Sequence, residues 1–156
     1  LNKIKKENKT KIPLLLKISP DIEDNHISEI ADVATKNDIS AVILTNTTNS
    51  NRDNLISEIK KEEGGLSGEP LQQISTNMIK KFYKHLGGKI PIIGVGGVNS
   101  GKSAYEKIIA GASLLQLYTG FVYRGPSVVK DIKKELIQIL KSEGINNIKE
   151  AVGKGM

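Results

Sequence analysis

Polar residues that could take part in chemistry interrupt or follow two short apolar segments of this chain. Lys17 lies inside Leu14-Leu-Leu-Lys-Ile18, and Thr45-Asn-Thr-Thr48 follows Ala41-Val-Ile-Leu44. A lysine within a buried strand is costly unless it meets an anion or a polar cofactor edge, where its charge stabilises developing negative charge. The hydroxyls and the amide that follow the second segment both donate and accept hydrogen bonds, which suits a planar ligand with carbonyl and N–H edges. The structural alternatives are an edge-strand lysine that reaches solvent and a turn that caps a strand end.

Two glycine-rich turns give a second chemical signal. One lies in Ile92-Ile-Gly-Val-Gly-Gly-Val-Asn-Ser-Gly101, and the other in Ala110-Gly-Ala-Ser-Leu-Leu-Gln-Leu-Tyr-Thr119. Bare glycines let an anion approach backbone N–H groups, and the positive end of a following helix favours its charge. Gly94-Val-Gly-Gly97 is not the dinucleotide-binding fingerprint, because the third glycine and the later acidic residue are missing. The pair of turns therefore predicts a phosphate site.

The elements that must position these residues alternate between short apolar segments and longer segments with helical periodicity. This alternation predicts βα units and a parallel sheet. The polar segment 46–63 is too long for an ordinary connection, so we expect a functional loop at the rim of a pocket. The predicted strands are 14–18, 41–45, 90–95 and 113–118, and the predicted helices are 24–37, 71–85, 101–110 and 127–142, with a short helix within 145–151.

Four consecutive βα units with right-handed crossovers form either an open four-stranded sheet or half of an eight-stranded barrel. Polar residues end strands one, two and four, and glycines follow strand three, so all of them would share the rim where a barrel has its active site. Neither outer strand carries a proline or bulge signal that would protect a free edge. We therefore interpret residues 1–156 as one partial domain, a barrel half whose partner is absent from this chain.

Composition limits the remaining classes of function. The 156 residues carry a formal net charge of +6, but the cations are nearly all lysines mixed with glutamates, which indicates solvated helix faces and no nucleic-acid partner. There is no cysteine, and the two histidines lack metal-binding spacing, so no metal site is predicted. No apolar run approaches the roughly 20 residues that span a bilayer. Residues 1–10 look like the end of a helix that enters a polar loop, so we expect a soluble fragment without a targeting segment.

Taken together in their order, five motifs resemble those of the dihydroorotate dehydrogenases, most closely the quinone-dependent, membrane-associated class. The match covers nearly the whole chain with the expected spacings. It implies an α/β fold in which this chain is the C-terminal half, strands five to eight, of an FMN-binding (β/α)8 TIM barrel. The motifs are Leu16-Lys-Ile-Ser-Pro-Asp21, Thr45-Asn-Thr-Thr48, Gly64-Gly-Leu-Ser-Gly-Glu-Pro-Leu71, Ile92-Ile-Gly-Val-Gly-Gly-Val98 and Ala110-Gly-Ala-Ser-Leu-Leu-Gln-Leu-Tyr-Thr119.

The resemblance also implies roles for eight positions. Lys17 matches the lysine near the reducible ring of FMN, and Asn46 and Thr47 match the pair that holds the pyrimidine substrate. In this class the catalytic base is a serine of the N-terminal half, so no catalytic base is expected within this chain. The other matched FMN contacts are Thr45, Gly68, Gly97, Tyr118 and Thr119.

The implied reaction is the oxidation of dihydroorotate to orotate in pyrimidine (UMP) biosynthesis, with hydride passing to FMN and electrons then to a quinone. The implied partners are dihydroorotate or orotate, the quinone, the N-terminal half of the barrel, and a membrane surface reached through the N-terminal region. The whole enzyme would lie peripherally on the inner membrane of a bacterium or mitochondrion, and the fragment alone would be inactive. Two alternatives stay open: another FMN-dependent β/α-barrel oxidoreductase, and a non-catalytic half-barrel that binds a phosphate ligand.

Overall fold

The structure is a computed structural model that describes residue 3 and residues 12–50, 52–53, 55–58 and 60–156. Within these residues, four parallel strands form one sheet in the order β1-β2-β3-β4. Parallel neighbours need a crossover between them, and each crossover here contains a helix. The strands are β1 (Leu15–Ile18), β2 (Ala41–Leu44), β3 (Ile92–Val95) and β4 (Ala112–Gln116).

The helices follow the strands in the predicted alternation. Every predicted strand and helix has a counterpart whose bounds differ by one or two residues, apart from the short last helix, which begins later within its predicted range. The helix end expected within residues 1–10 lies outside the described residues apart from Lys3. A short 3-10 helix (Glu69–Leu71) leads into α2. The α-helices are α1 (Asn25–Lys36), α2 (Gln72–Leu86), α3 (Gly101–Ile109), α4 (Thr119–Arg124), α5 (Val128–Ser142) and α6 (Ile148–Ala151).

Helix α4 was not predicted. The segment is only six residues long and is followed by Gly125, so helical periodicity gives little signal for it. The structure places α4 shortly after β4, with Thr119 as its first residue. This helix brings the side chain of Arg124 to the same rim as the strand ends.

The two faces of the sheet have different surroundings. Side chains on one face, among them Ile18, Val42 and Ile92, pack with helix residues such as Ile27 and Phe82 into the main core. Side chains on the other face alternate with them along each strand, and in β1 and β4 they are left uncovered by the described chain. Leu15 is 38% exposed and Leu114 is 62% exposed. Because the outer edges of β1 and β4 also lack a strand partner among the described residues, the sheet has the open apolar face and open edges of an incomplete barrel.

Candidate functional site

A cavity of about 1110 Å³ lies at the carboxyl ends of the strands. In a sheet of parallel strands these ends share one edge, which is where α/β proteins bind their ligands. The cavity is lined by the residues that follow β2, β3 and β4, by Lys17 of β1, and by the segment 65–71. All eight residues to which the sequence assigns contacts line it: Lys17, Thr45, Asn46, Thr47, Gly68, Gly97, Tyr118 and Thr119.

The turn after β3 lies close against the start of α2. Gly97 has a φ of +71°, and a Cβ atom at this position would lie 2.4 Å from the Cβ of Gln72 and 2.7 Å from its Cα. Both the positive φ and the close approach exclude a larger residue. Glycine is therefore required at this position by packing, whether or not a ligand is bound.

The turn after β4 approaches the same place from the other side. A Cβ atom on Gly120 would lie 2.6 Å from the carbonyl oxygen of Val98, so the turn after β4 contacts the turn after β3. Gly111, the glycine of the second predicted turn, lies instead before β4 and packs against Tyr83, where a Cβ atom would lie 2.4 Å from the ring. The pair of glycine-rich turns therefore contributes only its first member to the cavity. Within the described chain, the backbone N–H groups of Gly97, Thr119 and Gly120 have no hydrogen-bond acceptor. Buried or half-buried N–H groups are normally paired. Three unpaired donors at one end of a cavity form a suitable site for a phosphate.

One part of the phosphate expectation is wrong. The sequence analysis expected the positive end of the helix after the first turn to face the anion. The structure instead satisfies the first N–H groups of α3 internally: Gly101 N donates to Glu135 Oε2 at 2.6 Å, and Ser103 N donates to Ser100 Oγ. The Glu135 carboxylate already compensates the helix dipole. The candidate phosphate site is therefore formed by the turns that follow β3 and β4 and not by the N-terminus of α3.

The segment that precedes α2 contacts the turn after β4. Ser67 Oγ and Thr119 Oγ1 are 2.9 Å apart and share a hydrogen bond. Gly68 has a φ of +82°, and a Cβ atom there would lie 3.0 Å from Thr119 Cγ2. This contact keeps Gly68 at the cavity wall beside Thr119.

At the opposite end of the cavity, the residues after β2 form a compact turn. Thr45 is buried; its N–H donates to Val95 O at 3.1 Å and its hydroxyl donates to Asn46 O at 2.9 Å. Asn46 Oδ1 accepts the N–H of Thr47 at 2.9 Å, which leaves the amide Nδ2 of Asn46 as a donor at the cavity. Asn46, Thr47 and Lys17 are all exposed in this chain. These three polar side chains therefore border open volume beside the uncovered face of the sheet.

Asp21 has a role at this site that the sequence analysis did not give it. From the sequence it is the acidic residue that ends the first motif, beside the start of a predicted helix. In the structure, Asp21 Oδ1 accepts the hydroxyl of the buried Thr48, and Oδ2 accepts Asn49 N at 2.8 Å. Thr48 in turn forms an antiparallel bridge to Leu66. Asp21 thus links the end of β1 to the residues that follow Asn46 and Thr47.

Two basic residues near the cavity were also missed. Arg124 lines the cavity, and its guanidinium donates to Asn99 O and lies 3.6 Å from Asp131 Oδ2. Lys107 is fully buried between α3 and α2. The helical spacing contains a signal for it, because Lys107 shares the buried face of α3 with Ala104 and Ile108.

The described residues offer neither a metal centre nor a membrane-spanning helix. They contain no group of three or more histidine, cysteine, aspartate or glutamate side chains that could hold a metal ion. No helix in the described ranges is both long enough and apolar enough to cross a bilayer.

Comparison with known proteins gives a consistent set of relatives. The family model described as dihydroorotate dehydrogenase matches residues 1–140. A dihydroorotate dehydrogenase (quinone) of Trichodesmium erythraeum is 45% identical, and the alignment covers 98% of this chain and 42% of that protein. The mitochondrial dihydroorotate dehydrogenase (quinone) of Arabidopsis thaliana is 48% identical over 90% of this chain and 31% of its own length.

Solved structures agree with the sequence relatives. The crystal structure of an Eimeria tenella dihydroorotate dehydrogenase in complex with ferulenol matches with a TM-score of 0.88 and 44% identity, over 91% of this chain and 38% of that chain. The ligand-free form of the Eimeria tenella enzyme also has a TM-score of 0.88. These matches confirm the predicted α/β fold, and the chain spans well under half the length of the relatives that it matches.

Proposed function

Because this chain belongs to the dihydroorotate dehydrogenase family, we propose that it is the part of such an enzyme that holds FMN and one side of the substrate. The enzyme would oxidise dihydroorotate to orotate and transfer the electrons to a quinone. The observation that carries this proposal is that eight residues from the ends of four strands and from the loop before α2 surround one cavity. The chain aligns with 42% of the Trichodesmium protein, and we expect residues from outside it to complete the site.

The donor set of the cavity fits FMN. The N–H groups of Gly97, Thr119 and Gly120 would hold its phosphate, because they have no acceptor in the described chain. FMN, when bound, accepts a hydride from the substrate. Lys17 would stabilise the negative charge that this transfer places on the flavin ring, and Thr45 would contact the flavin from the end of β2.

The substrate would lie at the other end of the cavity. Asn46 offers an unpaired amide donor there, and Thr47 offers a hydroxyl that can donate or accept. Such groups pair with the carbonyl and N–H edges of a pyrimidine ring. Their contribution is to orient dihydroorotate so that its reacting carbon faces the flavin.

The remaining parts of the mechanism lie outside this chain. We place the base that removes the substrate proton in the N-terminal half of the barrel, whose strands would pair with the open edges of β1 and β4. The chain would then be a single partial domain comprising strands five to eight of the (β/α)8 barrel. The quinone and the membrane surface would be reached through the N-terminal region, as a peripheral enzyme requires.

The test is reduction of a bound flavin in the complete flavoprotein. We expect the purified protein to carry about one FMN per chain, and dihydroorotate to bleach its absorbance anaerobically, with a quinone restoring it. A flavin that dihydroorotate leaves oxidised, together with an absence of orotate binding, would favour another FMN-dependent barrel oxidoreductase. A colourless protein that forms a stable dimer would favour a non-catalytic phosphate-binding half-barrel.

A further inference from the structure

The fully buried Lys107 places its ammonium in a polar cluster behind the cavity. Its Nζ donates to Gln72 O at 3.2 Å, to Ser75 Oγ at 3.0 Å and to Thr76 Oγ1 at 3.1 Å. The two hydroxyl protons are already used, because Ser75 donates to Val95 O at 2.5 Å and Thr76 donates to Gln72 O at 2.8 Å. Ser75 Oγ and Thr76 Oγ1 can therefore only accept from Lys107, whereas Gln72 O also accepts the Thr76 hydroxyl. An ammonium has three N–H groups and can bond all three oxygens at once, where a neutral amine has two. We call Lys107, Gln72, Ser75 and Thr76 the Lys107 cluster.

The cluster contacts the phosphate end of the cavity through Gln72. Lys107 holds the carbonyl of Gln72, and the adjacent Glu106 accepts the side-chain amide of Gln72 at 2.7 Å. Gln72 is the residue against which Gly97 packs, with 2.4 Å between its Cβ and a Cβ built on the glycine. A displacement of Gln72 therefore displaces the turn that carries one of the three unpaired N–H donors.

The cluster reaches the other end of the cavity through Ser75. The Ser75 hydroxyl donates to Val95 O and lies 3.4 Å from Leu44 O, so it joins the last residues of β3 and β2. Val95 O also accepts the N–H of Thr45. Both strand ends that lead into the cavity thus depend on a hydroxyl that Lys107 holds in place.

We propose that Lys107, in its ammonium form, is a positioning residue for FMN binding, acting through Gln72 on the Gly97 turn and through Ser75 on the ends of β2 and β3. The inference rests on the proposed FMN function of this cavity. Lys107 itself does not line the cavity. Its protonation state would set how well the strand ends and the turn are aligned for the cofactor, so FMN affinity would fall when Lys107 loses its proton.

Burial lowers the pKa of Lys107 to about 8, against the smaller opposing effect of Glu106. Glu106 is the charged side chain beside it on α3; α2 faces it with the neutral Gln72, Ser75 and Thr76, and the strands take part only through backbone carbonyls. Since the unfolded lysine titrates near 10.5, the unfolded chain binds more protons between pH 8 and that value. This group therefore raises the free energy of unfolding as pH rises through the window. A loss of FMN affinity there would not come from unfolding driven by Lys107.

The experiment measures FMN dissociation constants of the complete flavoprotein after removal of its flavin, by quenching of FMN fluorescence between pH 7 and 9.5. At pH 7 we expect Lys107→Met to weaken FMN binding about tenfold or more. The matched control is Lys102→Met, an exposed lysine on the same helix, which should stay within about twofold of the wild type. Wild-type affinity should fall by about fivefold or more above pH 8, and Lys107→Met should show no such step.

Ser75→Ala tests the same pathway without removing the buried charge. It should weaken FMN binding severalfold, and its effect should be smaller than additive with Lys107→Met. If Lys107→Met does not fold, the FMN affinity of Ser75→Ala and the pH dependence of wild-type FMN affinity test the role of Lys107. A wild type that binds no FMN would overturn the proposed function, whereas a wild type that binds FMN with no pH step, or a Ser75→Ala variant that binds as tightly, would overturn the role of Lys107 alone.

Discussion

The two ends of the cavity are built in different ways. At the phosphate end, backbone turns are fixed by close contacts within the chain, such as Gly97 against Gln72 and Gly120 against the carbonyl of Val98. At the ring end, Lys17 and Asn46 are exposed side chains beside a sheet face that the described chain does not cover. The comparison supports the proposal that this chain alone holds the phosphate, whereas residues outside it complete the reacting end.

This difference predicts that the two ends of the cavity have separate functions. Changes at the ring end should affect chemistry or substrate binding while the flavin stays bound. The donors at the phosphate end are backbone N–H groups, which a substitution can move but not remove. Substitutions there should therefore weaken FMN binding by displacing the backbone. Each of the variants below tests whether the two ends are separable.

The largest effect is expected at the ring end, from Lys17→Ala in the complete flavoprotein. Flavin reduction by dihydroorotate should slow by about two to three orders of magnitude, because the cation that stabilises charge on the reduced flavin is lost. FMN content should stay near that of the wild type. Stopped-flow absorbance under anaerobic conditions measures the rate, and Lys36→Ala, an exposed lysine in the last turn of α1, is the matched control. A near-normal rate of flavin reduction in Lys17→Ala would contradict the role proposed for Lys17.

The next effect is expected at the phosphate end, from Gly97→Ala. The new Cβ would lie 2.4–2.9 Å from atoms of Gln72, so the turn must move, at a cost of roughly 1–3 kcal/mol. We expect FMN affinity to fall about tenfold or more, since the N–H donors lose their alignment, and we expect turnover of the flavin-loaded fraction to change little.

Gly144→Ala separates backbone strain from steric contact in this prediction. Gly144 has a φ of +67°, close to that of Gly97, but no atom lies within 4 Å of a Cβ built on it. Both variants should lose about 1 kcal/mol of stability through the positive φ, and only Gly97→Ala should also lose FMN affinity. Equal FMN affinities for the two variants would contradict the steric account of the phosphate end.

Much of this arrangement could be predicted from the sequence because it is local or follows from topology. Apolar segments and helical periodicity located the four strands and the four longer helices to within one or two residues, and missed the short α4. The eight residues that the family resemblance assigns to the site, from Lys17 to Thr119, line one cavity, and most of them follow parallel strands whose carboxyl ends share one edge. Residues far apart in the chain could therefore be grouped without knowledge of any side-chain contact.

What the sequence could not predict depends on pairs of side chains that are distant in the chain. Glu135 reaches Gly101 across 34 residues and so occupies the helix end that the sequence assigned to the phosphate. Lys107 reaches Gln72 across 35 residues. Periodicity identifies a buried face of a helix, but the partner of that face depends on how α3 packs against α2 and α5. Asp21 was misjudged for the same reason, since its partner Thr48 is 27 residues away.

The smallest effect is expected from Asp21→Asn, which tests how far the ring end depends on an internal contact. The amide keeps one acceptor oxygen, so it cannot accept both Thr48 Oγ1 and Asn49 N as the carboxylate does. Loosening of the residues after Asn46 and Thr47 should weaken orotate binding about three- to tenfold and leave FMN affinity within about twofold. Asp24→Asn, which alters an exposed ion pair with Lys81, should change neither constant because such pairs contribute little. If Asp21→Asn weakened FMN binding and orotate binding equally, the two ends of the cavity would be coupled through β1 and β2. The two ends would then differ in how they are built but would not act independently.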